Sequence, residues 1–419
     1  MSVHSRPIEF DHNSAAHTAM GPLEIYRNLR ESCPVAWTEA SGGYWVVASY
    51  DATVQALKNP DIYASGASVD TNGEPHGGIF IPSARGMVAM IPTEVDPPVW
   101  EEYRRLLSPR FSPAAVKPLR PMMKELTTRH VDLVIQKGEC DLALDIAGAI
   151  PASAILARMG IDTDEWMFYA EPFHNILGFP PGSAEYERAM LGLQDIVERI
   201  RVLIQQRRQS PGDDLISLVA GAVIGGKPID DESATGVVYT LFSGGVDTTT
   251  TLLANAFAYL SRNPDAKRAL IADRSLIPLA TEEFMRFATP VQALARTVQR
   301  QTQLGGQTLE EGDRVLLAFA SANRDESAFP DPDTCQLGRY PNKHLSWGMG
   351  LHRCLGSHFA RATIETILEE VLDRMPDFTI DEERSFQYPN IGIVNGWAQL
   401  IASFTPGPRS DQSPARLDS

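Results

Sequence analysis

One cysteine near the C-terminal end of the 419-residue chain lies in a setting suited to binding a metal ion. Cys354 lies in the glycine-rich segment Trp-Gly-Met-Gly-Leu-His-Arg-Cys-Leu-Gly that ends at Gly356, directly before a helical pattern over 357–372. Because glycine lacks a Cβ, this backbone can turn sharply and let a flat, bulky group approach. The following helix start favours thiolate, the form of cysteine that binds metal. The alternative is a buried free cysteine in a loop.

A second segment, 239–251, carries residues that an ordinary core helix would avoid. Each of two adjacent glycines costs roughly 1 kcal/mol relative to alanine in a helix interior. We expect Gly244 and Gly245 to make room for a ligand on one face. The Thr248 hydroxyl can bond back to the Gly244 carbonyl and open a local kink. The neighbouring Asp247 supplies a carboxylate that can feed protons into an otherwise apolar helix.

Both segments resemble motifs of the cytochrome P450 family. The pattern Trp-x-x-Gly-x-His-x-Cys-x-Gly is similar to the family's haem-ligand loop, and Gly-Gly-x-Asp-Thr is similar to its central-helix motif. The resemblance extends from about residue 20 to 404. It implies that Cys354 is the axial ligand of a haem b iron, whose thiolate favours O–O cleavage. It also implies that Thr248 steadies the oxygen molecule and that Asp247 delivers protons.

A third motif lies between these two in the chain. Glu283 and Arg286 are spaced i, i+3, a pattern that also decorates many exposed helices. Arg339 follows in a turn-rich stretch, fifteen residues before Cys354. In the family the three residues form a buried network that braces the cysteine loop, so the resemblance implies a structural role for them.

Haem carries two propionates, which need cations or hydrogen-bond donors. By the resemblance, Arg296 and His352 bind them, and Arg104 of the segment that begins Asp96-Pro-Pro matches a further contact. Two positions depart from the family pattern: Trp100 replaces the usual histidine, and Trp347 replaces the usual phenylalanine. An indole N–H donates only. The Trp347 ring is expected to change the hydrogen bonding around the sulfur and therefore the redox potential.

By family position, the substrate pocket is expected along the 79–91 loop, the 168–179 region, the central helix and two later segments. The predicted lining is apolar: Ile79, Val88, Met90, Phe179, Leu241, Val291, Leu294, Ile393 and Val394, with Met87 and Ile391 beside them. This predicts a compact apolar substrate, and the layout resembles terpene- and camphor-hydroxylating members. His76, Arg85 or His174 could instead hold the carboxylate of an aromatic or fatty acid, or be ordinary surface residues.

Composition limits the other classes of function. A net charge of −16 argues against a nucleic-acid binder and for a soluble, cytoplasmic protein. Four scattered cysteines without CxxC spacing predict neither a disulfide framework nor a zinc site. The first residues contain no apolar run, so we expect no signal peptide or membrane anchor.

Electrons are expected from an external ferredoxin with its reductase, because the chain has no iron–sulfur cysteine set and no flavin or nicotinamide motif. Basic residues flank the cysteine side, where an acidic ferredoxin could dock: Arg104, Arg105, Arg110, Lys343, Arg353 and Arg361. Ordinary solvated charge is the alternative for this cluster. A peroxide-using peroxygenase and a non-catalytic haem- or ligand-binding protein are the alternatives for the function.

The elements that must position these residues are mainly helices. Periodicity predicts helices over 50–57, 99–107, 113–137, 142–159, 163–177, 183–208, 213–223, 231–261, 264–272, 277–287 and 357–372. Short strands are predicted at 44–48, within 296–318 and within 377–404. We therefore expect a mainly α fold with small β-sheets (α+β). One large P450-type domain is predicted over residues 1–404, with a partly extended start and a disordered polar tail at 405–419.

Overall fold

The computed structural model describes residues 7–14, 21–69, 74–83, 88–390 and 392–410. Its helices are α1 (Pro22–Ser32), α2 (Tyr50–Lys58), α3 (Val99–Leu107), α4 (Pro113–Val116), α5 (Arg120–Val134), α6 (Ala149–Met159), α7 (Trp166–Gly178), α8 (Ala184–Gln209), α9 (Leu215–Ala220), α10 (Asp231–Arg262), α11 (Pro264–Ala272), α12 (Ile277–Ala288), α13 (Phe319–Ala322) and α14 (Ser357–Arg374). A π-helix, Leu142–Gly148, runs into α6. The predicted mainly α fold with small sheets is confirmed.

The strands are short and form small sheets. They are β1 (Val35–Thr38), β2 (Tyr44–Val47), β3 (Tyr63–Ala64), β4 (Ala67–Val69), β5 (Pro75–Gly77), β6 (Glu139–Asp141), β7 (Val223–Ile224), β8 (Lys227–Pro228), β9 (Leu294–Val298), β10 (Thr302–Leu304), β11 (Gln307–Leu309), β12 (Arg314–Leu317), β13 (Thr379–Ile380), β14 (Phe386–Gln387), β15 (Trp397–Gln399) and β16 (Ile401–Ser403). The five-stranded sheet has the order β1-β2-β12-β9-β3. In it, Arg296 of β9 pairs with Val315 of β12.

Helix α10 is the central element of the helical part. Asp230 caps its N-terminus by accepting a hydrogen bond from the backbone N–H of Ser233 at 2.7 Å. The helix contacts α6, α7, α8 and α12, and it is buried on most of its faces. A helix that is apolar nearly all round belongs in the core. Polar or glycine positions along α10 are therefore conspicuous, because they interrupt a packed surface.

Helix boundaries agree with the periodicity in some helices, but the helix predicted over 213–223 is only Leu215–Ala220, because the chain then turns into strand β7. The predictions for α3 and α11 match to the residue. The helix predicted over 113–137 is instead three pieces, with a 3₁₀ turn at Lys117–Leu119 and a restart at Arg120. Pro118 and Pro121 lie at the starts of these pieces, where a residue without an N–H is tolerated. Helix α1 and strand β1 were not predicted.

One stretch, Leu142–Met159, is long and apolar enough to cross a membrane by length and composition, but 78% of it is buried inside the protein. It is therefore a core segment of this fold. Residues 405–410, predicted as part of the disordered tail, are hydrogen bonded: the N–H of Thr405 donates to Asp377, and that of Ser410 donates to Asp132. The predicted tail beyond residue 410, and the pocket candidates Arg85, Met87 and Ile391, lie outside the described residues.

Candidate active site

The cysteine segment is a tight loop that closes on its own backbone. The N–H of Cys354 donates to the carbonyl of Trp347 at 2.7 Å. Gly348 and Gly350 have φ values of 64° and 69°, which L side chains rarely adopt. A Cβ at Gly350 would also lie 2.4 Å from the Leu57 carbonyl oxygen. Gly356 is different, because its φ is −81° and its Cβ position is open, so it leaves space rather than making a turn.

Cys354 lies deep in the protein, and part of its surface remains accessible. Burial raises the pKa of the thiol, against the lowering by the Gly356 N–H and by the charges of Arg104 and Arg353. The N–H at the start of the following helix lowers the pKa of the thiol, as expected, but burial outweighs this contribution. A coordinating metal ion expels the thiol proton outright. The loop thus presents a reachable sulfur that a metal would convert to thiolate.

Trp347 contacts a polar cluster that the sequence did not reveal. Its Nε1 donates to Glu282 Oε2 at 3.2 Å, and the Arg361 guanidinium lies 4.7 Å from its ring centre. Arg361 Nε also donates to Glu282 Oε1 at 2.6 Å, and His344 Nε2 lies 3.1 Å from Oε2. Burial opposes ionisation of Glu282, but His344 and Arg361 hold its pKa well below the usual range. The Trp347 N–H is directed to Glu282, so the expected change in hydrogen bonding around the sulfur does not come from a bond of this N–H to the sulfur.

The predicted Glu–Arg–Arg network is present and buried. Arg286 Nε and Nη2 each donate to Glu283 at 2.8 Å, and both side chains are 0% exposed. Arg339 Nε lies 3.1 Å from both Glu283 oxygens. Asn342 Nδ2 donates to the same carboxylate at 3.0 Å. Burial raises the pKa of Glu283, but these donors outweigh it and the net direction is downward.

The two arginines of this network also bind backbone carbonyls. Arg286 donates to the carbonyls of Asn323, Pro332 and Thr334. Arg339 donates to those of Pro330, Asp331 and Thr334. The network therefore fixes the turn-rich stretch that leads into the cysteine loop. This geometry agrees with the bracing role that the sequence predicted.

Cationic and imidazole groups gather beside the loop. Arg296 is buried, and burial lowers its pKa to about 10, so it stays charged at neutral pH. Arg296 Nη1 donates to the Ala295 carbonyl at 2.7 Å, and the charge of Asp96 partly offsets the effect of burial on its pKa. His352 Nε2 is buried without a hydrogen-bond partner, and burial lowers its pKa to about 4. Buried polar groups of this kind need a partner, so the pair suits an anionic ligand.

Trp100 and Arg104 join this group from α3. The Trp100 ring packs edge-on against the His352 ring, with centroids 5.6 Å apart, and the Arg104 guanidinium lies 5.9 Å from the Trp100 ring centre. Arg104 Nη2 donates to the Arg353 carbonyl at 2.9 Å. The four side chains predicted to hold propionates thus lie close together. Trp100 contacts the His352 ring, Arg104 contacts the Trp100 ring and the cysteine loop, and Arg296 places a positive charge near His352.

The two adjacent glycines of α10 have different surroundings. Gly244 is exposed in the middle of this buried helix, and nothing lies within 4 Å of its Cβ position. At Gly245 a Cβ would meet Ile155 of α6 at 3.0 Å. The prediction that Gly245 makes room for a ligand is therefore wrong, because successive helix residues point about 100° apart. Gly245 allows α6 to pack closely, and Gly244 alone leaves an open face.

Thr248 lies one turn from Gly244 on the same side of α10. Its hydroxyl donates to the Gly244 carbonyl at 2.9 Å, as predicted. The helix nevertheless continues without interruption from Asp231 to Arg262, so the expected kink does not form a break. Thr248 remains partly exposed on the open face. A hydroxyl and an open backbone face thus occur together, where a small ligand can approach.

Asp247 has a partner that the sequence did not identify. Its Oδ1 lies 2.9 Å from His174 Nδ1, and the side chains are 1% and 18% exposed. His174 was predicted to bind a substrate carboxylate or to be a surface residue; the described contact fits neither, because the ring faces Asp247. The two residues are 73 positions apart. Only the packing of α7 on α10 reveals this pair.

The predicted pocket residues meet in smaller groups. Val291 forms a β-bridge with Val394, and the Gln292 N–H donates to the Ile393 carbonyl at 2.7 Å. The Ile79 carbonyl accepts from Ala295, next to Leu294. Phe179 packs on Tyr388 with ring centres 6.1 Å apart. Ile79, Val88 and Val394 are buried, whereas Met90, Phe179, Leu241, Val291, Leu294 and Ile393 are partly buried.

A cavity of about 570 Å³ lies elsewhere, around the C-terminal half of α10. Asn255, Phe287, Asn395 and Trp397 line it, and none of the nine predicted pocket residues does. It also borders Gly21, next to residues 15–20, which are outside the described part of the chain. The chemistry of the Cys354 loop and of Thr248 does not involve this cavity.

Comparison with known proteins connects this geometry to one family. The family model described as cytochrome P450 matches residues 169–390. The steroid C26-monooxygenase of Mycolicibacterium smegmatis is 30% identical over 389 residues, 92% of this chain and 93% of that protein. Cytochrome P450-terp of a Pseudomonas species is 28% identical over 371 residues, 84% of this chain and 86% of that protein.

Solved structures agree with the sequence relatives. A cytochrome P450 from Mycobacterium marinum in complex with pseudoionone superposes with a TM-score of 0.87 at 25% identity. The match covers 96% of this chain and 100% of that chain. The fold thus agrees with relatives matched over nearly their whole length. The chain therefore belongs to the cytochrome P450 family of haem-dependent monooxygenases.

Proposed function

We propose that this cytochrome P450 hydroxylates a small hydrophobic molecule, with a terpenoid as the favoured class, using electrons from a ferredoxin. The observation that carries the proposal is the open face at Gly244, beside Thr248, in an otherwise packed central helix. Such a face accepts oxygen and substrate without disturbing the core. We also infer that the protein works in the cytoplasm, with a ferredoxin reductase supplying the ferredoxin.

The side chains of the site fit a haem b group. Cys354 would supply the axial thiolate, and Arg296, His352, Arg104 and Trp100 would hold the propionates. The fit rests on the buried Arg296 cation, which forms no ion pair within the described residues, and on His352 Nε2, which makes no hydrogen bond and has Asp96 Oδ1 3.9 Å away. When bound, haem supplies the iron chemistry that activates O₂, and a thiolate ligand favours O–O cleavage.

The protein's own residues would manage protons and water on the other side. The Thr248 hydroxyl is anchored to the Gly244 carbonyl, so its oxygen stays oriented toward the open face. It can accept a hydrogen bond there from a water molecule. Asp247 is the nearest carboxylate in sequence, and we propose that it holds the proton that Thr248 passes on. Glu283, Arg286 and Arg339 have no part in these steps and act only by holding the loop.

Several observations support an apolar substrate. The predicted pocket side chains are apolar and buried or partly buried. The relatives include a steroid C26-monooxygenase, P450-terp and a complex with pseudoionone. For the alternative of an aromatic or fatty acid, two of the three predicted carboxylate-binding residues lose support, because His76 is exposed on β5 and His174 contacts Asp247; Arg85 lies outside the described residues. A peroxygenase or a non-catalytic ligand-binding protein would have no use for the proposed Asp247–Thr248 relay.

Ferredoxin docking is proposed on the cysteine side of the molecule. Arg110 forms an ion pair with Asp213, and Arg361 is held by Glu282, so neither is free for a partner. Arg105 and Lys343 are exposed and form no ion pair within the described residues. These two side chains are therefore the better candidates for contact with an acidic protein.

Replacing Cys354 with serine should abolish the strongly red-shifted Soret band of the dithionite-reduced, carbon monoxide-treated protein. The wild type should show that band, because a thiolate ligand shifts it. Cys33→Ser, which changes a partly buried cysteine away from the loop, is the matched control and should keep the band. A wild-type band at the position typical of histidine-ligated haem would contradict Cys354 as the ligand.

Pseudoionone should shift the Soret band of the ferric protein toward the high-spin position, because an apolar ligand displaces water from the pocket. Leu241→Asp should weaken this binding at least tenfold, because burying a carboxylate costs several kcal/mol. Leu191→Asp, at an exposed position of α8, is the control. Tighter binding of a fatty acid than of any terpenoid or steroid tested would favour the alternative substrate class.

Thr248→Ala should lower the fraction of electrons that appear in product, on the order of tenfold, with hydrogen peroxide released instead. The reason is the loss of the hydroxyl that orders water on the open face. Thr250→Ala is the matched control. The Thr250 hydroxyl also donates to the carbonyl four residues earlier, that of Val246, but it lies on a buried face of α10. Unchanged coupling in Thr248→Ala would remove Thr248 from the proposed mechanism.

The double charge reversal Arg105→Glu and Lys343→Glu should slow reduction by an acidic ferredoxin and flatten its dependence on salt concentration. Long-range attraction between opposite charges speeds association and is screened by salt. Arg188→Glu, at an exposed position on α8, should leave both properties unchanged. Stopped-flow reduction at several ionic strengths measures the effect, and identical salt slopes would argue against this docking surface.

A further inference from the structure

The Asp247 carboxylate is buried in the middle of α10 and has one side-chain partner among the described residues, His174. A buried carboxylate is costly unless it is paired. The His174 imidazole is therefore the side chain that satisfies this buried carboxylate with a hydrogen bond. His174 is also the more accessible of the two, at 18% against 1% exposure.

Tyr388 completes this group from the segment after β14. Its ring centre lies 5.0 Å from that of His174. Burial and, secondarily, the charge of Asp247 raise the pKa of its hydroxyl well above the usual value. The Tyr388 hydroxyl and Asp247 Oδ2 are both buried without a protein hydrogen-bond partner. Polar atoms in this situation are normally satisfied by an ordered water.

The backbone holds the Tyr388 ring in this position. A Cβ at Gly178 would lie 2.0 Å from the ring, and one at Gly396 would lie 2.1 Å from it. Both positions therefore need glycine. Gly178 ends α7 one turn after His174, so the same helix end clamps the tyrosine and presents the histidine. The contact between Tyr388 and His174 is therefore fixed by the backbone at Gly178 and Gly396.

We propose that His174 supplies protons to Asp247 and that Tyr388 positions the imidazole for this transfer. The inference deepens the proposed function, because it rests on Asp247 being the proton-delivery acid. The imidazole takes a proton at Nε2 and gives the proton at Nδ1 to Asp247 Oδ1. Asp247 then carries it toward the Thr248 side of α10, and a ring flip or proton exchange resets the imidazole. No bond between heavy atoms changes in this relay.

His174→Asn separates proton transfer from simple pairing. An asparagine amide can still donate to Asp247 from nearly the Nδ1 position, but it cannot pass a proton on. We expect this variant to lose coupling of electron use to product by about tenfold with pseudoionone as the substrate probe, and to show a larger solvent deuterium isotope effect. His76→Asn, the same change at the exposed β5 histidine, should behave as wild type. Tyr388→Phe keeps the ring that contacts His174 and should behave as wild type, whereas Tyr388→Ala, which removes the ring, should lose coupling.

A measurement without turnover tests the contact itself. In ¹⁵N-histidine-labelled protein in the diamagnetic ferrous carbon monoxide form, His174 should carry its proton at Nδ1. Its tautomer should change in Asp247→Leu, which removes the acceptor at similar size, because the hydrogen bond sets which nitrogen is protonated. Asp247→Asn keeps an acceptor oxygen and should keep the Nδ1-protonated tautomer. The His174 signals are identified by their absence in His174→Asn. An unchanged tautomer in Asp247→Leu would overturn the proposal.

The remaining outcomes separate this inference from the proposed function. Normal coupling in His174→Asn together with poor coupling in Asp247→Asn would make His174 a structural partner only, overturning the relay while leaving the Asp247 role intact. Weaker pseudoionone binding in His174→Asn with unchanged coupling would identify a substrate contact and also overturn it. Normal coupling in both Asp247→Asn and Thr248→Ala would remove the proton path on which the relay depends.

Discussion

The segments that form the cysteine side of the site are tied to one buried carboxylate, that of Glu283. It binds two arginines and an asparagine, and those arginines bind five different carbonyl groups between residues 323 and 334. Removing one partner of such a network leaves an uncompensated buried charge. The turn-rich stretch has little regular structure of its own, so these bonds replace the missing backbone ladder. We propose that these bonds also help to hold the cysteine loop, which follows this stretch in the chain.

The central helix satisfies two opposing demands. It must pack tightly, because α6, α7, α8 and α12 surround it, and it must leave one face open for chemistry. Gly245 serves the first demand and Gly244 the second. A methyl group at either position would act differently, crowding Ile155 in one case and narrowing the open face in the other. Two glycines and a buried carboxylate lower the stability of this helix.

The tryptophans that depart from the family pattern are accommodated by local partners. The Trp347 indole N–H donates a hydrogen bond to Glu282, and the Arg361 guanidinium packs over the Trp347 ring. Trp100 lacks the charge of a histidine, but it packs on His352 and lies close to Arg104. In both cases the larger ring is stabilised by neighbouring cations. The site therefore retains its cationic groups although two of its expected side chains differ.

The sequence by itself determined the features that depend on short-range geometry. The turns at Gly348 and Gly350, the Thr248–Gly244 bond and the Glu283–Arg286 pair follow from backbone conformation and from spacings of three or four residues on a helix. The bounds of α3 and α11 followed from periodicity for the same reason. Proline positions explain why the helix predicted over 113–137 is divided. These motifs were also sufficient to indicate the family.

Only the tertiary structure decided which faces meet. Glu282 differs from Glu283 by one position, yet it serves Trp347 and Arg361, 65 and 79 residues away. His174 reaches Asp247 across 73 residues, and Gly245 faces Ile155 and not the ligand side. Contacts of this kind depend on the rotation and packing of whole helices. A side chain's type and spacing determine what it can do, whereas the packing of α6, α7 and α14 around the site determines with which partner it does so.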